Sequence, residues 1–224
     1  MDVSFLIVAL GDYRKQVNKI IKQKLDFSYE ILVCSDNLLE FDIPNFKFFK
    51  DQGTSVSSFN HLYRNSKGKF IVCLTGVVLP PDNINSLIKK MNLRLEKGED
   101  FIITSFTPTD GEFAYVPEWV PRKTNLEHRS KIIRWPCLYR ETVEKYLDGV
   151  IFNESFVHHY VDNWLGTFCD VIGKPVEEDR EFRITNIPHN RLTKHDGYDK
   201  NVYELLCDSA RKELSYNLSV KPGE

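Results

Sequence analysis

Four short apolar runs, separated by segments of helical periodicity, constrain this 224-residue chain more than any other feature. Val3 to Leu10 (VSFLIVAL), Tyr29 to Cys34 (YEILVC), Phe70 to Leu74 (FIVCL) and Phe101 to Phe106 (FIITSF) are nearly continuous in apolar residues. Strands covered on both faces read this way, because neither side meets water. Between them, Tyr13, Val17, Ile20, Ile21 and Leu25 fall at helical spacing after Gly11 and a candidate N-cap, Asp12. Phe46 to Phe49 reads as a further strand. Val56 to Asn65 reads as a helix stopped by Ser66-Lys67-Gly68, and Pro80-Pro81-Asp82 opens a helix with the stripe Ile84, Leu87, Ile88, Met91 and Leu95, closed by Gly98. The order βαββαβαβ predicts an α/β fold with a mostly parallel central sheet and helices on both faces. Ligands on such sheets bind beyond the carboxyl ends of the strands.

The second half is less regular. Thr107 to Arg134 has no clear period and holds three prolines and the aromatic residues Phe113, Tyr115 and Trp119, which reads as loops with a hairpin. Arg140 to Leu147 reads as a short helix before Gly149, and Phe156 to Ile172 as a longer one with a polar side made of His158, His159, Asp162 and Asn163. A last amphipathic helix is expected from about Lys200 to Tyr216, and Ser219 to Glu224 reads as a frayed tail. With neither a repeat nor a linker, the organisation is one domain.

Composition removes several classes. Lys plus Arg total 30 against 32 Asp plus Glu, with no basic stripe, so nucleic acid is not the expected partner. No apolar run approaches the roughly 20 residues that cross a bilayer, so no transmembrane segment is expected, and Asp2 stands where a signal peptide carries a cation. Five dispersed cysteines, Cys34, Cys73, Cys137, Cys169 and Cys207, read as core residues of a reduced protein, and the expected location is cytoplasmic. The sequence lacks G-x-G-x-x-G after the first strand, G-x-x-x-x-G-K-[ST], G-x-S-x-G and H-E-x-x-H. Dinucleotide oxidoreductases, P-loop enzymes, α/β-hydrolases and common zinc proteases lose their signatures.

Four constellations remain. Asp36, in Ser35-Asp36-Asn37, can accept hydrogen bonds from a base or ribose, or close an Asx-turn. Thr75-Gly76-Val77 leaves the FIVCL strand with a glycine that permits close approach to a ligand, or is a simple strand exit. Asp162, one helical turn after His158, can act as a general base, hold a metal with that histidine, or sit on a solvated helix face. His189, Arg191, Lys194 and His195 gather cationic and imidazole groups able to neutralise a diphosphate, or serve solubility alone.

Taken in order, these pieces resemble the GT-A nucleotide-sugar glycosyltransferases, family-two-like, over roughly Val3 to Tyr203. VSFLIVAL, the Tyr13 to Leu25 helix and ILVCSDN look like the family's opening strand, helix and nucleoside-binding strand end. The stretch from Gln52-Gly53 through Asn60 to Gly68-Lys69-Phe70-Ile71 is loosely similar to the family's next pattern. FIVCLTGVVLPPDN looks like the strand, metal-binding DXD segment and Pro-rich helix start. YRETVEKYLDGVIFNESF resembles the acceptor-side segment, with Arg140, Gly149 and Glu154 in the family's places, HHYVDNWLGTFCDVIGKPV the helix bearing the catalytic aspartate, and PHNRLTKHDGYDKNVY a C-terminal His-containing loop.

The resemblance implies a single GT-A-like, Rossmann-like domain: residues 1–106 as the nucleotide-sugar half, 107–216 as the acceptor and catalytic half, 217–224 as a tail. It implies transfer of a sugar from a nucleotide diphosphate, UDP favoured, to a hydroxyl of a glycan or glycoprotein acceptor, with inversion and Asp162 as base. The donor site would comprise Ala9, Leu10, Gly11, Asp36, Asn60, Thr75, Gly76 and Val77 with His189, Arg191 and Lys194. The acceptor side would comprise Trp119, Trp135, Glu154 and His158, the two tryptophans being either sugar-stacking platforms or core aromatics. Val77 stands where most relatives have the last DXD aspartate, which puts Mn²⁺ or Mg²⁺ dependence in question and leaves His189 as the candidate metal contact. Three alternatives stay open: a metal-independent transferase, a metal held by other ligands, and a non-catalytic nucleotide-sugar or glycan-binding module. A sugar-1-phosphate nucleotidyltransferase is disfavoured by the single glycine in Ala9-Leu10-Gly11-Asp12. The chain is also compatible with a place in a larger multidomain protein.

Overall fold

The first apolar run forms β1 (Val3–Ala9), and the rest of the sheet is built outward from it. In the computed structural model, which describes residues 1–109, 132–157, 161–174, 176, 178–187, 199–207 and 209, β2 (Tyr29–Ser35) and β4 (Phe70–Thr75) pair with β1 in parallel on either side. β3 (Phe46–Lys50) extends the sheet beyond β2. On the other side follow β7 (Pro136–Tyr139), antiparallel to both neighbours, β6 (Ile103–Pro108), β8 (Glu178–Asn186) and the two-residue β5 (Val78–Leu79). The order is β3-β2-β1-β4-β7-β6-β8-β5.

Alternate side chains of the central strands enter two separate cores, as the two-residue period of a strand requires. Phe5, Ile7, Ile31, Val33, Val72 and Leu74 face α1 (Arg14–Lys22) and α3 (Ile84–Glu96). Leu6, Leu32, Cys34, Ile71 and Cys73 face α2 (Ser55–Arg64), α4 (Arg140–Tyr146) and α5 (Val161–Val171), together with Tyr203 and Cys207 of a helical stretch over 199–207. Each such side chain contributes about 1.5–3 kcal/mol by leaving water. All five cysteines are buried and none is in a disulfide, as their apolar surroundings predict. Burial alone pushes the Cys137 thiol far above its ordinary pKa, so that thiol is inert.

Several local expectations are corrected. Asp12 is not the N-cap of α1: Tyr13 holds that place, and the Asp12 carboxylate accepts the Arg14 amide at 2.9 Å and pairs with the Arg14 guanidinium. The helix expected to open at Pro80-Pro81-Asp82 has Asn83 as its N-cap, and Asp82 pairs with Lys19 at 2.6 Å. Of the expected helix over 156–172, Val161–Val171 is helical while Phe156 and Val157 are not, and the Val157 amide donates to the Asp199 carboxylate at 2.8 Å. Asn163 is buried rather than on a polar face. β5, β7 and β8 have no counterpart in the sequence reading. β8 carries two buried apolar residues, Phe182 and Ile184, at strand spacing within a charged segment.

The amino ends of the strands are locked by one buried carboxylate. Glu30, 1% exposed, accepts from Ser4 Oγ at 2.7 Å, Lys47 Nζ at 2.8 Å and the Lys67 amide at 2.5 Å. Ser4 Oγ also accepts the Gly68 amide at 2.7 Å, and a Cβ at Gly68 would lie 2.3 Å from the Ser4 nitrogen, so no larger residue fits. Arg140 closes this end, donating to Gly68 O at 2.8 Å and Ser66 Oγ at 2.7 Å while lying over the Tyr63 ring. Burial works to raise the Glu30 pKa, but the hydrogen bonds from Lys47, Ser4 and Lys67 outweigh it and hold the carboxyl below its ordinary value. A carboxyl so lowered adds stability above its unfolded-state pKa and loses it as pH falls through the folded-state value. Glu30→Gln is therefore expected to lose about 1–3 kcal/mol at pH 7 by urea denaturation. Its deficit relative to wild type should shrink as pH falls below the ordinary carboxylate range.

Candidate active site

Parallel pairing in register brings the ends of three strands to one edge. Val8 stands beside both Cys34 and Thr75, and Ala9 beside Ser35. From β1 the chain moves outward through β2 to β3, then returns to place β4 on the other side of β1. The topological switch point therefore lies between β1 and β4, flanked by Ala9-Leu10-Gly11 and Thr75-Gly76-Val77, where open α/β sheets bind ligands.

The strand ends are braced individually. Asp36 Oδ1 accepts the Gly11 amide at 2.7 Å and the Ser35 hydroxyl at 3.3 Å, tying the end of β2 to the loop after β1, where Gly11 takes φ +87° and Leu10 is exposed. The Gly76 amide donates to Val8 O at 2.9 Å, and a Cβ at Gly76 would come 2.7 Å from the Ala9 Cβ, so glycine is required for this approach. On its far side the Val77 carbonyl accepts the Ile187 amide at 2.7 Å, and β8 pairs with β5 through Val78 and Asn186. The chain thus reaches the Val77 turn immediately before Pro188. His189, Arg191 and Lys194 lie outside the described residues, as do Trp119 and His158.

Asp162 sits in the first turn of α5 with its side chain 26% exposed. Its Oδ1 accepts the Asn163 amide at 3.0 Å, its Oδ2 lies 3.8 Å from Arg134 Nε, and its backbone carbonyl accepts the Ile133 amide at 3.1 Å. One residue further on, Trp135 Nε1 donates to Thr75 Oγ1 at 3.3 Å. The short segment 133–135 therefore links the helix carrying Asp162 to the end of β4. Arg134 and this linkage were not legible in the sequence; the only signal was a cation beside a tryptophan at the start of an apolar stretch. Trp135 itself is 9% exposed and packed in the core, so it is a core aromatic and not a stacking platform.

Asn60 is a second correction. It is fully buried, donates to Phe152 O at 2.7 Å and Glu154 Oε1 at 3.3 Å, and accepts from the amides of Ile151 and Phe152, both at 3.1 Å. With its amide occupied on both sides, it holds the segment after α4 and offers nothing to a donor. Glu154 accepts from Asn60 and pairs with Arg64. Among the described residues, no three His, Cys, Asp or Glu side chains converge on a cation site. Asp82, the next acidic residue after Val77, pairs with Lys19 at 2.6 Å.

The fold is GT-A-like, the class of nucleotide-sugar glycosyltransferases that the sequence resembles. Residues 1–349 of Staphylococcus aureus TarS, solved in complex with UDP, superpose with a TM-score of 0.59 at 15% identity over 99% of this chain and 76% of that one. The same fragment in complex with UDP-GlcNAc gives 0.57 at 14% identity over 86% and 60%. The mannosyltransferase PcManGT from Pyrobaculum calidifontis, in complex with GDP-Man and Mn²⁺, gives 0.55 at 13% over 84% and 57%. The chain spans only 43% of another TarS structure. No family model matches the sequence, and no curated protein matches it significantly.

Asn60→Ala is expected to leave the amides of Ile151 and Phe152 unpaired in the interior at about 1–3 kcal/mol each. A fall of several degrees in Tm by calorimetry, with nucleotide affinity unchanged at a temperature where the variant is folded, would match a structural role.

Proposed function

We propose that this protein transfers a sugar from a nucleoside-diphosphate donor, UDP-linked by preference, to a hydroxyl of a glycan or glycoprotein acceptor, with inversion. The observation that carries this reading is the linkage of Asp162 through residues 133–135 to Thr75, at the switch point of a GT-A-like sheet. In this reading Asp36, Ala9 to Gly11 and Thr75 to Val77 receive the nucleoside diphosphate. The Asp162 carboxylate takes the proton from the acceptor hydroxyl as its oxygen attacks the anomeric carbon. The bond between that carbon and the diphosphate oxygen breaks, and the diphosphate leaves with the electron pair. Its charge is met by His189, Arg191 and Lys194. A positioned base of this kind contributes about 10²–10⁴ in rate. The partly exposed setting of Asp162 suits the role, because an acceptor can reach it from solvent.

Mn²⁺ or Mg²⁺, if bound, would add positive charge at the leaving diphosphate; the described residues do not form a site for it, and no step depends on it. A cytoplasmic location and a role within a longer multidomain protein belong to the same proposal. No helix among the described residues is long and apolar enough to cross a membrane. The place of Val77 favours one second reading, a non-catalytic nucleotide-sugar or glycan-binding module. Asp162→Asn separates the two. The transferase reading expects sugar transfer from UDP-sugars, or slow donor hydrolysis, to fall by at least about 10²-fold with donor affinity unchanged. Equal turnover in the variant would remove Asp162 as base, and no turnover in wild type with intact donor binding would favour the binding module.

A further inference from the structure

Helix α1 and its C-cap present three polar side chains, Gln16, Lys19 and Gln23, to the segment between β4 and α3. Lys19 pairs with Asp82 at 2.6 Å, and Gln23 Nε2 donates to Pro81 O at 2.8 Å. These two hold the far end of the segment. Gln16 alone reaches the turn at the switch point, where its Nε2 donates to Gly76 O at 2.7 Å.

Gln16 is fully buried, and its Oε1 is buried with no hydrogen-bond partner. An amide half-satisfied in the interior is a poor choice for stability alone, because an apolar side chain of the same size would leave no orphan. What the amide supplies is a fixed direction for the Gly76 carbonyl. The peptide joining Gly76 to Val77 is the centre of the turn between β4 and β5, and the central peptide of such a turn has alternative orientations that differ by a flip. No described peptide is cis, and because a trans peptide is planar a carbonyl drawn toward α1 turns the Val77 N–H the opposite way. That N–H makes no hydrogen bond to any described residue, while the Val77 carbonyl on its other side is taken by Ile187.

We propose that Gln16 is a positioning residue that locks the Gly76–Val77 peptide so that the Val77 N–H is presented to an anionic oxygen of the bound nucleoside diphosphate. The inference rests on the donor-site reading above and names a backbone donor at the position where a side-chain carboxylate is absent. A backbone N–H aimed at a phosphate oxygen needs no cation and no side chain, which is compatible with valine there. Lys19 and Gln23, by contrast, act only on the far end of the segment and have no part in this presentation.

The test uses UDP as probe, with two variants that each remove one amide and keep side-chain volume. Calorimetric titration of Gln16→Met is expected to show UDP affinity weakened about tenfold, which corresponds to about 1.4 kcal/mol. Gln23→Met, which loses a comparable hydrogen bond in the same segment, is expected to stay within about twofold of wild type by the same conversion. In protein labelled with ¹⁵N-valine, the Val77 amide resonance should move downfield on UDP addition in wild type and not in Gln16→Met. Equal weakening by both variants, unchanged affinity in Gln16→Met, or a Val77 resonance indifferent to bound UDP would each overturn the proposal while leaving the donor-site reading intact. Failure of wild type to bind UDP in any condition would overturn both.

Discussion

The parallel pairing of β1 with β4, from Val3 opposite Phe70 to Val8 opposite Thr75, is the constraint on which the rest of the molecule depends. Because β1 also pairs in parallel with β2, its backbone is hydrogen-bonded on both edges and its side chains are covered on both faces. The strand is the centre of two cores at once. Its register leaves the ends of β1, β2 and β4 flush at one edge and their beginnings flush at the other. The beginnings are tied together by the hydrogen bonds of Glu30, Ser4, Gly68 and Arg140. The ends are braced one to another by hydrogen bonds of Asp36 to the loop after β1, of Gly76 to Val8 and of Trp135 to Thr75. The register thus sets one network at the beginnings of the strands and a separate set of braces at their ends.

How much of this could be read from the sequence depends on the kind of signal each element gives. The apolar runs of β1, β2 and β4 and the stripes of α1, α2 and α3 are strong periodic signals, and their order already implies the switch point. β7 is too short, at four residues, to show a period, and β8 hides Phe182 and Ile184 among charged neighbours. Asn60 illustrates a different failure. Its place in a family-like pattern suggested donor contact, but a buried amide at that position satisfies the backbone of residues 151–152 instead. Pairings across long separations, such as Asp162 with Arg134 or Gln16 with Gly76, leave no local trace because neither partner's sequence context requires the other.

In the proposed reaction, Val77 in the place of a DXD aspartate would shift the electrostatic problem without removing it. A departing diphosphate would still need compensation, for which the proposal invokes His189, Arg191 and Lys194 and backbone donors at the strand ends. The antiparallel pairing of β8 with β5 serves this arrangement directly, since it brings the chain to Val77 one residue before that stretch begins. Backbone amides and guanidinium or imidazole groups can stabilise an anion at fixed positions with little reorganisation. The account is therefore one in which a GT-A-like sheet binds a nucleotide sugar through its own polypeptide groups, with Asp162 facing the acceptor.

The most direct test of that account is a thermal-shift titration of wild-type protein with a panel of nucleotide sugars, each in EDTA and in Mn²⁺, since a ligand that binds only the folded state raises Tm. The account predicts that one donor raises Tm in EDTA and that Mn²⁺ adds little. Stabilisation that appears only with Mn²⁺ would contradict the compensation of charge by polypeptide groups, and no response to any nucleotide sugar would contradict the donor site itself.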